Sequence, residues 1–239
     1  MSIIDLDPET TSNKGGKNLV VFDIDGTLVR YHRKRNDLAY VHAVKETFGI
    51  TVRDSWSDYL SSTDSGILCE IIEKNLRRPC SPADISGFKK NMAAWLDIDY
   101  GGEPFESMPG AKECLTQLAD SPLWCAAIAT GNWEFSGCYK LRSAGFDFKD
   151  IPFASADDGS SREIILKSAF LKAGQKSGIT GFKKAVYVGD WTWDVKAAAA
   201  LGWDFIGIAS GDEKKAIMDA GARHVLPDFN GLIQLLDRV

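Results

Sequence analysis

The stretch Leu19-Val20-Val21-Phe22-Asp23-Ile24-Asp25-Gly26-Thr27-Leu28 decides how this chain reads. Its four leading apolar residues suit a strand covered on both faces. Asp23 and Asp25 then stand with one residue between them where the strand should end. Alternate residues share a face of an extended chain, so the two acids would sit together if the extension continued. Gly26 lets the backbone turn away and crowds both carboxylates into one small volume. Two anions at one point are costly, and a divalent cation is the natural third party. An aspartate can also act as a nucleophile and carry a phosphoryl group. A solvated turn acid is the plain reading of a lone Asp-x-Asp, and the apolar strand before this one argues against it.

Working outward, further apolar runs follow the same plan. Leu123–Ala129 ends at Thr130-Gly131-Asn132, Ala185–Val188 ends at Gly189-Asp190, and Phe205–Ala209 forms a fourth. Helical patterns separate them at Ala111–Ala119, Phe135–Ala144, Glu163–Ala173, Asp194–Leu201 and Glu213–Ala220. Gly145, Gly174, Gly202 and Gly221 read as the glycines that close these helices. Alternating strands and helices specify an α/β, Rossmann-like, doubly wound domain with a parallel sheet. Residues 34–104 break the alternation. They read as helices at Leu38–Phe48, Trp56–Leu60, Ser65–Lys74 and Ile85–Asp97, too long for one crossover, and are taken as an inserted α-helical cap domain. The core domain is then 18–33 with 105–239, and 1–17 is a flexible polar tail.

Composition narrows the function. The 239 residues carry a net charge of -5, which disfavours a nucleic-acid partner. No apolar run reaches the roughly 18 residues of a membrane span, and the first residues lack the pattern of a signal peptide. Cys69, Cys80, Cys114, Cys125 and Cys138 are odd in number and include no Cys-x-x-Cys. Reduced thiols and a cytoplasmic location are therefore expected, with Cys125 in the core.

The chemistry-bearing residues all follow strands, and in open α/β sheets ligands bind outside the strands' carboxyl ends. The motifs Asp23-Ile24-Asp25-Gly26-Thr27, Ala129-Thr130-Gly131-Asn132 and Val188-Gly189-Asp190-Trp191-Thr192-Trp193-Asp194, in this order, resemble the haloacid dehalogenase-like superfamily of phosphotransferases. The insert after the first motif resembles the helical cap of its phosphoglycolate phosphatase and β-phosphoglucomutase branch. The resemblance implies that Asp23 attacks phosphorus, while Asp25 protonates the leaving group and then activates water. It implies that Thr130 and the backbone N–H groups of Gly131 and Asn132 hold the phosphoryl oxygens. Asp190, Asp23 and the main-chain carbonyl of Asp25 would surround Mg²⁺. Asp194 would orient that set, reach the metal through water, or cap the helix that opens near Val195.

The resemblance also calls for a basic residue beside the phosphate, commonly a Lys before Pro. Here the segment is Asp157-Asp158-Gly159-Ser160-Ser161-Arg162-Glu163. Arg162, at a helix start behind a Ser160 or Ser161 cap, is preferred to Lys167 one turn later. Trp133, Trp191 and Trp193 wall a substrate mouth or pack cap on core. His32 and His42 serve surface or packing roles. The run Arg30-Tyr31-His32-Arg33-Lys34-Arg35 is a solvated face or a lure for an anionic substrate. The expected activity is Mg²⁺-dependent hydrolysis of a small phosphorylated metabolite. The alternatives are a phosphomutase on the same core and a non-catalytic module that binds a phosphate ligand. Substrate and oligomeric state are not encoded in any decodable motif.

Overall fold

The computed structural model describes residues 16–30, 33–100 and 102–239. The chain forms β1 (Asn18–Phe22), then α1 (Arg33–Phe48), a 3₁₀ turn at Trp56–Asp58, α2 (Asp64–Leu76) and α3 (Pro82–Tyr100). It continues through α4 (Ala111–Ala119), β2 (Trp124–Ala129), α5 (Glu134–Ser143), β3 (Phe153–Ala154) and α6 (Arg162–Ser177). It ends with β4 (Ala185–Gly189), α7 (Thr192–Leu201), β5 (Asp204–Ile208), α8 (Gly211–Asp219), β6 (His224–Leu226) and α9 (Leu232–Leu236).

The six strands form one parallel sheet in the order β3-β2-β1-β4-β5-β6. The strand order reverses between β1 and β4, and this is where a doubly wound sheet opens a crevice. β1 is buried on both sides. Val20 and Phe22 enter one hydrophobic cluster, and Leu19 and Val21 enter the other. That double coverage is why its sequence is apolar without alternation.

The helical segment α1–α3 has a cluster of its own, built on Tyr40, Val44, Leu68, Ile71, Ile72 and Phe88. Trp133 and Ala156, from the loops after β2 and β3, complete that cluster and dock the helices on the sheet's carboxyl edge. Three hydrogen bonds reinforce the docking. The Thr63 hydroxyl donates to Ser160 O at 2.9 Å, the Ser65 hydroxyl donates to Gly159 O at 3.3 Å, and Asp64 N–H donates to Gly131 O at 2.7 Å. Thr63 also caps α2 by accepting from Gly66 N–H, a contact worth about 1 kcal/mol.

Several sequence expectations shift. β3 and β6 were not expected, since two and three residues at the sheet's flanks are too short to show a pattern. The Trp56–Leu60 helix is only the short 3₁₀ turn. Gly174 does not end α6. The helix runs on to Ser177 and closes at Gly178, which adopts the left-handed conformation with φ 66°. Gly174 instead lets Ile179 O approach, for a Cβ there would meet that oxygen at 2.8 Å. Cys125 is half-buried, with its Sγ 3.2 Å from Ser177 Oγ. All five cysteines are free. Of the basic run, Arg30 pairs with Glu106 at 3.4 Å. Tyr31, His32 and most of the expected tail lie outside the described residues. His42 packs on Trp95 and pairs with Asp99 at 3.0 Å.

Candidate active site

The strand-like extension stops at Phe22. Asp23 N–H still donates to Val188 O of β4 at 3.0 Å, but beyond it the chain folds into a turn, with Thr27 N–H and Val29 N–H both donating to Ile24 O. Gly26 makes that turn at φ 72°. It also sits against the Asp190 carboxylate, and a Cβ at position 26 would fall 2.0 Å from Asp190 Oδ2. No other residue type fits both conditions.

Two differently built groups meet at this point. The first surrounds Asp23, which is 2% exposed. Arg162 Nη1 lies 3.0 Å from Asp23 Oδ1 and 3.4 Å from Asp194 Oδ1. The Asp23 contact is an ion pair without hydrogen-bond alignment, so that buried oxygen keeps unused accepting capacity. Arg162 Nη1 donates to the Tyr187 hydroxyl at 3.1 Å, and that hydroxyl donates to Asp194 Oδ1 at 2.9 Å. Trp191 N–H donates to Asp194 Oδ2 at 3.1 Å. Asp194 therefore braces the first turn of α7 from within, two residues after the helix opens at Thr192. Ser161 is the residue that caps α6, accepting from Ile164 N–H at 3.4 Å. Arg162 follows as the first helical residue and turns inward, while Lys167 is exposed.

The electrostatics of this group are unbalanced. Asp23, Asp190 and Asp194 bring carboxylate oxygens within 4.8 Å of one another against the single Arg162 guanidinium. Burial pushes Asp23 up to about 7, with Arg162 pulling it down and Asp194 and Asp25 pushing it further up. Burial, then Asp194 and Asp23, hold Asp190 well above the carboxylate range. Burial opposes the charge on Arg162, but Asp23, Tyr187 and Asp194 more than offset this and keep it protonated. Three crowded oxygen donors, one with an orphaned buried lone pair, fit a small hard cation such as Mg²⁺.

The second group surrounds Asp25 and contains a buried cation. Lys140 Nζ reaches both Asp25 oxygens, at 2.9 and 2.6 Å, and donates to Asn132 Oδ1 at 2.9 Å. Asn132 Nδ2 donates to Asp25 Oδ2 at 2.6 Å and to Thr130 Oγ1 at 2.7 Å. Asn132 N–H donates to the same hydroxyl oxygen at 3.2 Å. With both lone pairs of Thr130 Oγ1 taken, its one proton remains for another acceptor. The Asn132 side chain thus orients Asp25 and Thr130, and its backbone N–H is occupied within the loop.

The walls come from the helical segment. Asp64, half-buried at the start of α2, accepts from Trp133 N–H at 2.9 Å. Burial raises its carboxyl to about 7 against the pull of Lys140 and the Trp133 N–H. Lys89 of α3 lies 4.1 Å over the Trp133 ring and bonds to Asp157. Trp133, 2% exposed, packs helices on core. Trp191 and Trp193 are half-buried and touch each other, with ring centroids 5.4 Å apart.

Lys140, Asp64 and Tyr187 were not singled out from sequence. A lysine on a helix reads as solvated, and only its face betrays it. Ser136, Gly137, Lys140 and Leu141 form one buried stripe of α5. Tyr187 sits inside an apolar strand, and Asp64 opens a helix like many capping acids.

Among solved structures, similar folds include a hydrolase from Pseudomonas syringae, with TM-score 0.67 and 21% identity over 92% of this chain and 98% of that one. A protein from Bacteroides vulgatus, described provisionally as a β-phosphoglucomutase, has TM-score 0.65 and 19% identity over 94% and 90%. A predicted phosphoglycolate phosphatase from Haemophilus somnus has TM-score 0.59 and 19% identity over 93% and 99%. A comparison with curated proteins gave no match. Among the described residues, no helix is long and apolar enough to cross a membrane. The family model described as haloacid dehalogenase-like hydrolase matches residues 17–202, so with its parallel sheet in this order the chain belongs to the haloacid dehalogenase-like hydrolase family.

Proposed function

We propose that the protein is a Mg²⁺-dependent phosphatase of a small phosphorylated metabolite, with residues 34–104 as a cap over the site. The observation that carries this reading is the buried Asp23. It stands at the tip of β1 with one oxygen short of a partner, beside a fixed guanidinium and two further carboxylates.

In this reading an Asp23 oxygen forms a bond to phosphorus as the ester P–O bond breaks. Asp25 gives its proton to the departing alkoxide. Water then loses a proton to Asp25 and attacks the aspartyl-phosphate, which releases inorganic phosphate and restores the Asp23 carboxylate. Arg162 and the Thr130 hydroxyl proton hold the phosphoryl oxygens, where fixed donors stabilise the charge that spreads in the transition state. Asp23, Asp190 and the main-chain carbonyl of Asp25 would hold Mg²⁺, with Asp194 behind them. When bound, the ion supplies charge neutralisation between carboxylates and phosphate. The net charge of -5 supports a small-molecule substrate rather than a nucleic acid.

The test is release of inorganic phosphate from a panel of phosphorylated metabolites with Mg²⁺, alongside transfer to a sugar bisphosphate. Hydrolysis that disappears in Asp23→Asn is the expected result. Transfer without net hydrolysis would make the protein a phosphomutase. Binding of phosphorylated ligands with neither reaction would make it a binding module.

A further inference from the structure

The Asp25 side of the site contains a charge that the phosphatase reading does not use. Lys140 is 3% exposed and stands in the middle of α5, away from the strand tips that carry Asp23, Asp25 and Asp190. Helical side chains lean toward the N-terminus, so from the second turn of α5 it reaches back over the β2 loop. Gly137, on the same buried stripe, makes the reach feasible. A Cβ there would press on Ile24, Phe153 and Thr130 at 3.1 to 3.3 Å and hold α5 away from the crevice.

Burying an ammonium is costly unless its donors are met, and here they are met by Asp25 Oδ1, Asp25 Oδ2 and Asn132 Oδ1. An ammonium has only donors, so Lys140 can face only the carbonyl oxygen of the Asn132 amide. That choice turns Asn132 Nδ2 toward Asp25 and Thr130. One side chain therefore fixes the Asp25 carboxylate directly and the Thr130 hydroxyl through Asn132.

From this geometry we infer that Lys140 is the positioning residue of the acid/base, a cation that sets the orientation from which Asp25 passes a proton to the leaving group. The inference rests on the assignment of Asp25 as acid/base. Lys140 does not touch the phosphoryl group in this scheme, for Arg162 occupies that side. Removing it should slow the proton-dependent part of the reaction and leave nucleophilic attack on reactive esters largely intact.

The experiment measures kcat/KM with Mg²⁺ for Lys140→Met, Lys140→Arg, Asp25→Asn and the Lys140→Met/Asp25→Asn double variant. The substrates run from 4-nitrophenyl phosphate through phenyl phosphate to an alkyl phosphate, in order of increasingly basic leaving groups. Lys140→Met should lose at least about tenfold more activity on the alkyl ester than on the nitrophenyl ester, the pattern also expected of Asp25→Asn. In the Asp25→Asn background the same change should cost less than about twofold, because both act through one proton transfer. Lys140→Arg, which keeps the charge, should restore the flat dependence in part. Equal losses across leaving groups, or losses that add fully to those of Asp25→Asn, would overturn the role of Lys140. An Asp25→Asn variant with no leaving-group dependence would instead overturn the acid/base assignment itself. Should Lys140→Met fail to fold by circular dichroism, Lys140→Gln, which keeps an amide donor on a shorter stem, carries the same comparison.

Discussion

Asp23 and Asp25 are two residues apart in sequence, yet their surroundings are opposites. The Asp23 side packs three carboxylates against one guanidinium, and burial holds Asp23 and Asp190 above the normal acid range. The Asp25 side pairs one carboxylate with one buried ammonium and an amide. The first is an incomplete charge set that a divalent cation would complete. The second already holds its carboxylate with a buried ammonium and an amide. A single turn at Gly26 therefore separates a crowded carboxylate set from a carboxylate held by a buried ammonium, and in the proposed scheme these would serve attack on phosphorus and proton transfer respectively.

The sharpest way to break this comparison is Asp23→Asn. An amide cannot form the acyl-phosphate, so turnover should fall by more than about a thousandfold while the fold persists. Retention of a tenth of wild-type activity would remove Asp23 from the centre of the scheme.

Arg162 comes next, as the cation paired with Asp23. Arg162→Ala should cost about 3 kcal/mol of transition-state stabilisation in kcat/KM. Arg162→Lys should recover part of this, since a point charge replaces a planar fork. Lys167→Ala, on the exposed face of α6, should change kcat/KM by less than about twofold. An inactive Lys167→Ala beside an active Arg162→Ala would move the phosphate cation one turn along the helix.

The metal should show the imbalance as a pH effect. Protons and Mg²⁺ compete for the same carboxylates, and burial raises Asp23 to about 7. Apparent Mg²⁺ affinity should therefore rise as pH goes from about 6 to 8, and EDTA should abolish activity throughout. Isothermal titration of Mg²⁺ at both pH values measures this, and an affinity that does not change with pH would contradict the crowded carboxylate set.

These halves were not equally legible in the sequence. The Asp23 side could be read because its chemistry is local, with apolar runs, an Asp-x-Asp-Gly turn, and acids placed directly after strands. The position of β1 beside β4 then brings Asp23 and Asp190 together without further information. The Asp25 side depends on tertiary contacts that leave little local trace. Lys140 meets Asp25 across 115 residues, and Asn132 meets it across 107. Propensity cannot tell an inward lysine from a solvated one, and the only hint was the small, buried stripe of Ser136 and Gly137 beside it. The flanking strands β3 and β6 escaped for a different reason. Their identity lies in pairing with β2 and β5 rather than in their own residues, one of which is His224.

The smallest expected effect concerns the wall between the halves, at Asp64. Its carboxyl is raised from 3.8 to about 7, chiefly by burial, so the folded protein favours the protonated form. The unfolded chain ionises this group near its ordinary value. Between those limits the folded state binds more protons than the unfolded state, and stability falls as pH rises from about 4 to about 7. Asn at position 64 cannot ionise, and its amide oxygen can still accept from Trp133 N–H. Asp64→Asn should therefore lose stability at pH 5, where the native acid is mostly protonated, only through imperfect fit. Relative to wild type it should gain about 1–2 kcal/mol between pH 5 and pH 8, a figure reduced from the full shift because Asp64 keeps some solvent contact. Urea unfolding of both proteins without Mg²⁺ at the two pH values gives the gap directly. A gap that stays constant would mean that Asp64 ionises as freely in the fold as in the unfolded chain, and that the helices of residues 33–100 leave the crevice wetter than their packing on Trp133 implies.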